Sequence, residues 1–410
     1  MGMICVICLT MSCSSDKAQD SGYEPIQEGV PTDGSRAIGF IAAMADDGSG
    51  SEASVRRTRG VGDGELTTAD LQAVGFGVFC WYTEGNNFSS PASAKYMLMR
   101  NQKVVYNGTL AHPWFYSHTK YWPLEASHKL TFRAYAPYVD YSLVEKTEAV
   151  YSTYTMGMPL LPVVVAPTDY KLGTQHDPLW GTGRLVQGED DAVPGEYVAG
   201  DHPRYGHLHN DVTYKSSGDK RLESDTNDGI VDWYFHHGMS SLMLNISVVK
   251  DPGCDKVTIK RIVIEPLYTQ GLLDISSPTA TKDEKPWWYD RSGTMTVMLD
   301  DAPCPVEIET NRDLTKPTDP VPVLSKGLLI IPRSYDFITP MSMKIVYTID
   351  DDPDELEALG SITGSFEGNT SYTLDLMLTP ETRGVEIQVV QSAFTRWTEG
   401  DSGDHTVHNW

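Results

Sequence analysis

The chain has 410 residues, enough for two or three domains at ~150 residues each. Its 40% hydrophobic and 10% aromatic content can build real cores, which excludes an intrinsically disordered protein. A formal charge of −24, from 56 acidic and 32 basic residues, repels nucleic-acid phosphates and anionic lipid headgroups, so nucleic acid is excluded as a partner.

Residues Met1 to Ser12 carry no charge and are mostly apolar, and after Cys13 the chain turns polar at Ser14-Ser15-Asp16-Lys17. The run is too short to span a bilayer, which takes ~20 residues. It fits the apolar region of a signal peptide over residues 1–12. Ser12 directly before Cys13 resembles a bacterial lipobox, which implies that Cys13 is acylated and becomes the mature N-terminus. Several acyl chains hold a protein on a membrane without a transmembrane helix. Cys80, within Val78-Phe79-Cys80-Trp81-Tyr82, reads as a small core hydrophobe. Cys254 and Cys304 are a candidate disulfide in an oxidising compartment, though sequence does not place their Cα atoms.

Residues 13–35 are polar and read as a flexible tether. Ile38, Phe40 and Ala42 then alternate as in a strand. A soft stretch from Asp46 to about Thr68 follows, holding the basic cluster Arg56-Arg57-Thr58-Arg59-Gly60. Gly75 to Tyr82 is one apolar run, and Leu130, Phe132 and Ala134 alternate with Thr131, Arg133 and Tyr135. A polar segment over residues 186–228 reads as a linker or long loop. Beyond it, Leu242, Leu244, Ile246 and Val248 share one strand face. Val257 and Ile259 share another, and Ile262 and Ile264 take the opposite parity, so the phase slip at Lys260-Arg261 predicts a bulge. Met341 to Ile349, Tyr372 to Leu378 and Val385 to Val389 repeat the period of two that a sheet with one wet face requires.

No long helical stripe exists. Thr68 to Ala73 and Pro353 to Leu359 are the helical candidates, the second with Asp352 as cap and Pro353 as first residue. Glycine (35) and proline (25) punctuate turns throughout. The expectation is an all-β protein of two tandem β-sandwich domains, residues 36–185 and 229–410, with few short helices.

Catalytic chemistry has no foothold. There is no G-x-S-x-G elbow, H-E-x-x-H or Walker loop, so neither an enzyme nor a cofactor is expected. His207, His209, His236 and His237 read as structural rather than metal-ligating. Asp225-Thr226-Asn227-Asp228-Gly229 with Asp232 only faintly resembles a calcium loop. Trp287-Trp288-Tyr289 is an aromatic cluster that could stack on a sugar, hold a protein partner, or pack against the neighbouring domain.

Several segments together carry a resemblance. Trp114-Phe115-Tyr116, Tyr121-Trp122-Pro123 and Leu130 to Pro137 resemble the N-terminal signature of Bacteroidetes fimbrillin-like (type V pilus) lipoproteins. Phe235 to Leu242 is similar to that family's F-x-H-x-x-S-x-L segment, Leu328 to Pro332 to its next apolar landmark, and Trp397 to its late lone tryptophan. The resemblance covers roughly residues 37–397. It implies two transthyretin-like β-sandwiches and a lipid-anchored precursor at the outer membrane and cell surface, in a fimbrium. It also implies a pilus subunit, or a tip or anchor adhesin, whose partners are other pilus subunits joined by β-strand donation.

In that scheme a protease cuts after an arginine and frees a strand. Arg59, Arg57 and, less well, Arg36 are the candidates, Arg59-Gly60 being best because a soft, exposed stretch can enter a protease extended. The polar sequence between Trp397 and Val407 leans toward a tip or accessory role over a stalk. The alternative is a non-polymerising surface lipoprotein that binds glycan or a host protein.

Overall fold

The computed structural model describes residues 36–44, 68–89, 93–110, 113–139, 160–165, 177–182, 212, 229–249, 255–275, 287–299, 306–309, 317–324, 327–350, 352–379, 384–390, 398–399 and 406–409. Among these the chain is mostly β-strand with one helix, as the alternating pattern predicts.

The first block comprises β1 (Gly39–Met44), α1 (Thr68–Val74), β2 (Phe76–Tyr82), β3 (Tyr96–Tyr106), β4 (Trp114–Phe115), β5 (Leu130–Ala136), β6 (Leu160–Val164), β7 (Leu179–Thr182) and β8 (Ile230–His237). Seven of its strands close into a barrel in the order β1-β4-β3-β2-β5-β7-β8. The closure is a parallel pair of β1 and β8, running from Gly39↔Ile230 to Met44↔Phe235. Closure leaves a sheet without an open edge, which is how all-β folds avoid unwanted strand pairing. Strand β8 therefore belongs to the first block, and the chain changes sheet at Gly238 rather than at residue 229. Of residues 186–228, only Val212 is described, and it bridges to Leu130 through a pair of backbone hydrogen bonds of 2.7 and 2.8 Å.

The second block continues with β9 (Ser240–Val248), β10 (Lys256–Leu267), β11 (Gln270–Asp274), β12 (Trp287–Ser292), β13 (Met295–Leu299), β14 (Val306–Glu309), β15 (Val321–Pro322), β16 (Leu328–Ile330), β17 (Arg333–Tyr335), β18 (Met341–Ile349), β19 (Leu356–Phe366), β20 (Thr370–Thr379), β21 (Gly384–Val390), β22 (Thr398–Glu399) and β23 (Thr406–Asn409). A 13-stranded sheet has the spine β13-β10-β18-β19-β21-β20-β9-β15, with the remaining short strands paired onto it. A small sheet, β12-β11-β6, takes its third strand from the first block.

The predicted alternation is visible in burial. Leu242, Leu244, Ile246 and Val248, then Met341, Met343, Ile345 and Tyr347, then Leu374, Leu376 and Leu378 are all fully buried in one core. The slip near Lys260 is a register shift between Ile259 and Arg261 against β18, and it lets Val257, Ile259, Ile262 and Ile264 all face inward.

The apolar run on β2 has a different cause. Phe76, Val78, Cys80 and Tyr82 fill the barrel, while Phe79 and Trp81 join the core of the second block, with Tyr135 and Trp180. Strands buried on both faces lose their alternation. The Cys80 thiol is fully buried, and desolvation pushes its pKa up, in keeping with a core role.

The two helical expectations divide. Thr68–Val74 forms α1, which buries Leu71 and ends at Gly75. Gly75 has φ +70°, its N–H returns to Leu71 O at 2.9 Å, and a Cβ there would lie 2.4 Å from Val104 O. Pro353–Leu359 is not a helix: β19 starts at Leu356, and Asp352 Oδ1 instead accepts the N–H of Asp354 at 3.0 Å in a local turn. Pairing with β18 from Tyr347↔Leu356 to Met341↔Ile362, with Ala358 and Ile362 buried, outweighs the local helix signal.

Candidate functional site

The site is the seat of β1. Ile38, Phe40, Ala42 and Met44 are buried in the barrel, while Ile41 faces outward at 39% exposure. Phe40 is the centre of an aromatic cluster. Its ring lies 6.0 Å from Phe76, edge-on, and 5.4 Å from Tyr116, and Phe76 in turn meets Trp114 at 5.1 Å and Phe235 at 5.3 Å. Burying Ile38, Phe40 and Met44 stabilises the barrel by about 5–9 kcal/mol.

The entry of β1 is fixed by the residues on which the family resemblance rests. Tyr116 Oη donates to Ile38 O at 2.8 Å, Trp122 N donates to Arg36 O at 2.8 Å, and Ala37 bridges Tyr121. Gly229 O accepts two donors, Gly39 N at 3.0 Å and Trp122 Nε1 at 2.9 Å. Gly229 stands at φ +83°, and a Cβ there would come 2.8 Å from Ala37 O, so the approach needs glycine. Arg36 Nη2 donates to Pro123 O at 2.5 Å, which ties this arginine into the sheet.

At the exit of β1, a side-chain hydrogen bond clasps the strand to the start of α1. Met44 N donates to Thr68 Oγ1 at 3.0 Å, so the chain leaves β1 at Met44 and returns at the start of α1 in the same place. Residues 45–67, with Arg57 and Arg59, lie outside the described residues, as do Cys13, Cys254, Cys304 and Trp397. His207, His209 and the Asp225-to-Asp228 segment lie there too.

A second feature escaped the sequence reading. Where β8 passes into β9, His237 Nδ1 and Asp177 Oδ2 lie 2.6 Å apart, both buried, and Asp177 Oδ1 accepts Met239 N at 2.9 Å. Gly238 N donates to Pro178 O at 2.8 Å and Asn369 Oδ1 accepts His237 N at 3.2 Å. Neighbouring His236 packs against Trp180 at 5.1 Å, and desolvation, with a smaller contribution from His237, holds its pKa down to about 3. The two adjacent histidines, which read as structural in sequence, sit at the junction of the two cores. No group of three or more His, Cys, Asp or Glu able to hold a metal exists among the described residues.

Trp288 serves as packing. It is 9% exposed, and its indole N–H donates to Gly238 O at 2.8 Å at the same junction; Tyr289 is half-buried. Nothing is described of the Trp287 side chain. No helix among the described residues is long and apolar enough to cross a membrane.

No family model and no curated protein matches this chain. Its structural neighbours are fimbrial and candidate cell adhesion proteins. A candidate cell adhesion protein from Bacteroides uniformis is 14% identical over 90% of this chain and 100% of its own, with TM-score 0.41. The tip fimbrial protein Mfa3 from Porphyromonas gingivalis, truncated at its C-terminus, is 9% identical over 77% of this chain and 93% of its own, with TM-score 0.33. A fimbrial protein from Bacteroides ovatus is 12% identical over 90% of this chain and 54% of its own, with TM-score 0.28.

Proposed function

We propose that this chain is a pilus-associated surface protein of the fimbrillin type, structural rather than catalytic, in which β1 is the exchangeable strand. The observation that carries the reading is the Met44–Thr68 clasp. A chain cut anywhere in 45–67 leaves β1 held only by non-covalent contacts, because that segment is the covalent link from β1 to the rest of the barrel, and its two ends meet at the Met44–Thr68 hydrogen bond. Loss of β1 would uncover the edge of β8 from Ile230 to Phe235 and an apolar slot lined by Phe76, Trp114 and Tyr116. A strand donated by a neighbouring subunit satisfies both needs at once, the backbone through the ladder and the slot through alternate side chains.

This logic ranks the arginines. A cut after Arg59 or Arg57 falls beyond β1 and frees it. A cut after Arg36 falls before β1 and leaves it attached, and Arg36 O is engaged by Trp122 N. In the same reading Cys13 carries the lipid anchor that holds the precursor at the outer membrane, and Cys254 and Cys304 pair in that oxidising setting.

The test is digestion of the full chain with an arginine-specific protease, alongside an Arg56→Ala/Arg57→Ala/Arg59→Ala triple variant that leaves no arginine in residues 45–67. Release of a fragment ending at Arg57 or Arg59, followed by oligomer ladders resistant to SDS, supports strand exchange, and the triple variant should give neither. A nicked chain that keeps its first strand and stays monomeric overturns it in favour of a surface lipoprotein that never polymerises. Mass spectrometry of the mature N-terminus checks acylation of Cys13 in the same material.

A further inference from the structure

We infer that the second block carries a binding site for a carboxylated sugar, a uronic or sialic acid residue, in a cavity centred on Arg291 and Arg333. The site is separate from the seat of β1 and does not depend on strand exchange.

The cavity has a volume of about 410 Å³ and is walled by β12, β17 and the turn from β19 into β20. Ligand pockets run from ~300 to 1,000 Å³, so this one suits a single small residue at the end of a larger molecule. Two features of the backbone shape it. Against β11, the register of β12 shifts between Leu272↔Tyr289 and Gln270↔Ser292, and Asp290 in that interval has φ +47°. Such a bulge re-aims the side chains beside it, here Tyr289 and Arg291. Opposite, Arg333 and Ser334 pair with Phe366 and Ser365.

The charge at this cavity runs against the protein's composition. In a chain of net charge −24, two arginines meet here, and neither forms a salt bridge among the described residues, although the Asp336 carboxylate feels the charge of Arg333. Arg333 is 9% exposed, and its Nε is buried with no acceptor. Its guanidinium carbon sits 4.4 Å from the Tyr268 ring centre and 5.0 Å from that of Tyr335, and its Nη1 comes 3.5 Å from Pro266 O. Arg291 lies 5.8 Å from the same Tyr268 ring and donates from Nη1 to Pro332 O at 2.6 Å, which fixes its planar group at the wall. A guanidinium held against aromatic faces at a cavity wall, without a carboxylate salt bridge, suits an anion, and its fork matches a carboxylate two-to-two.

The rest of the lining calls for hydroxyls. Ser334 Oγ and Ser365 Oγ lie 2.8 Å apart at the rim, and the half-buried Tyr289 and Glu367 also line the cavity. Aromatic surface, paired hydroxyls and a guanidinium fork together fit a ring that bears both hydroxyls and a carboxylate, and they fit a bare anion or an apolar chain less well.

Ligand-observed NMR and calorimetry on the full chain, with glucuronic acid and N-acetylneuraminic acid as probes, test the assignment. Each acid is compared with its methyl ester, and acetate and an N-acetylated dipeptide serve as further controls. At least one acid should bind about tenfold or more tightly than its ester, and which of the two does so separates a uronic from a sialic source. Arg291→Gln, at an exposed position, should lose about tenfold or more of that affinity, with thermal melting lowered only slightly by the lost bond to Pro332 O. Arg333→Lys, which keeps charge without the fork, should lose affinity in the same way. Equal binding of acid and ester, no binding, acetate or the dipeptide binding as tightly as the sugar acid, or an Arg291→Gln protein that binds like the parent would each overturn the assignment.

Discussion

Strands β1 and β20 are both held in parallel pairs, yet they are secured in opposite ways. Strand β20 runs beside β9 from Thr370↔Ser240 to Leu378↔Val248, and its other edge is paired antiparallel with β21 from Thr373↔Val390 to Thr379↔Gly384. Strand β1 has one long ladder, with β8, and on the other side a single register pair, Phe40↔Trp114. Its hold on the barrel lies in side chains pressed into a slot more than in the backbone. A strand gripped by two ladders is a permanent part of its sheet. A strand gripped by one ladder and a row of apolar side chains can be replaced by another with the same alternation.

The largest expected effect separates the two directly. In the intact chain, Phe40→Ala and Leu376→Ala should each destabilise by roughly 3–5 and 2–5 kcal/mol, since both side chains are buried. In a chain nicked between residues 45 and 67, Phe40→Ala should weaken retention of the first-strand fragment by about 10²–10⁴-fold, at 1.4 kcal/mol per decade. Leu376→Ala should leave that retention unchanged. Size-exclusion chromatography of the nicked proteins, with mass spectrometry of the released fragment, gives both numbers. Equal release in the two variants would mean that β1 is no more detachable than β20.

Much of this contrast was legible in the sequence, and what was not has physical causes. The alternation of Ile38, Phe40 and Ala42 announced β1, and the parity change around Lys260 announced the bulge, because side-chain direction in a strand follows residue number. Three features depended on partners far along the chain. Nothing local says that Ile230 to His237 closes the barrel against β1, since parallel pairing joins residues about 190 apart. Pro353 to Leu359 carried a genuine local helix signal that pairing with β18 overrides. In sequence Trp288 stood open between display on a polar, proline-flanked loop and packing against the neighbouring domain. It is a junction residue because Gly238, which accepts its N–H, comes from another strand. The arginine cavity was invisible for the same reason, as Arg291 and Arg333 meet only once β12 and β17 are placed.

An intermediate effect concerns β8, the ladder partner of β1. His236 is buried against Trp180, where a charged imidazole would have no water, and its pKa is held down to about 3. Below the ordinary histidine value of ~6.5 the unfolded chain takes up a proton that the folded chain refuses, so stability falls as the pH drops from ~6.5 toward 3. The slope from this one group is at most ~1.4 kcal/mol per pH unit, a few kcal/mol in all. Exposed Glu84 and Asp336, both held below the usual carboxylate range by hydrogen bonds, lose stabilisation in the same direction at lower pH. Denaturant melts from pH 7 to pH 4 should show the decline, and His236→Gln should flatten it above pH 5. Hydrogen exchange should find β8 amides losing protection before those of β20. An unchanged slope in His236→Gln would remove the acid sensitivity from this strand.

The smallest effect is at the clasp itself. Thr68 Oγ1 accepts a single hydrogen bond from Met44 N, so Thr68→Ala should cost only ~0.5–1.5 kcal/mol of stability. Its effect on cleavage should be larger than that figure suggests. The clasp ties the start of the excursion to its end, and a protease must draw several residues around Arg57 or Arg59 into its cleft in extended form. Releasing one end gives that segment slack without opening the barrel, so cutting should speed up several-fold while thermal melting shifts by only a few degrees. Thr68→Ser, which keeps the hydroxyl, should restore the slower rate. If Thr68→Ala melts lower but is cut no faster, residues 45–67 already meet the protease unhindered. The grip on β1 would then lie entirely in the Phe40 cluster, with the clasp left as a helix-end contact.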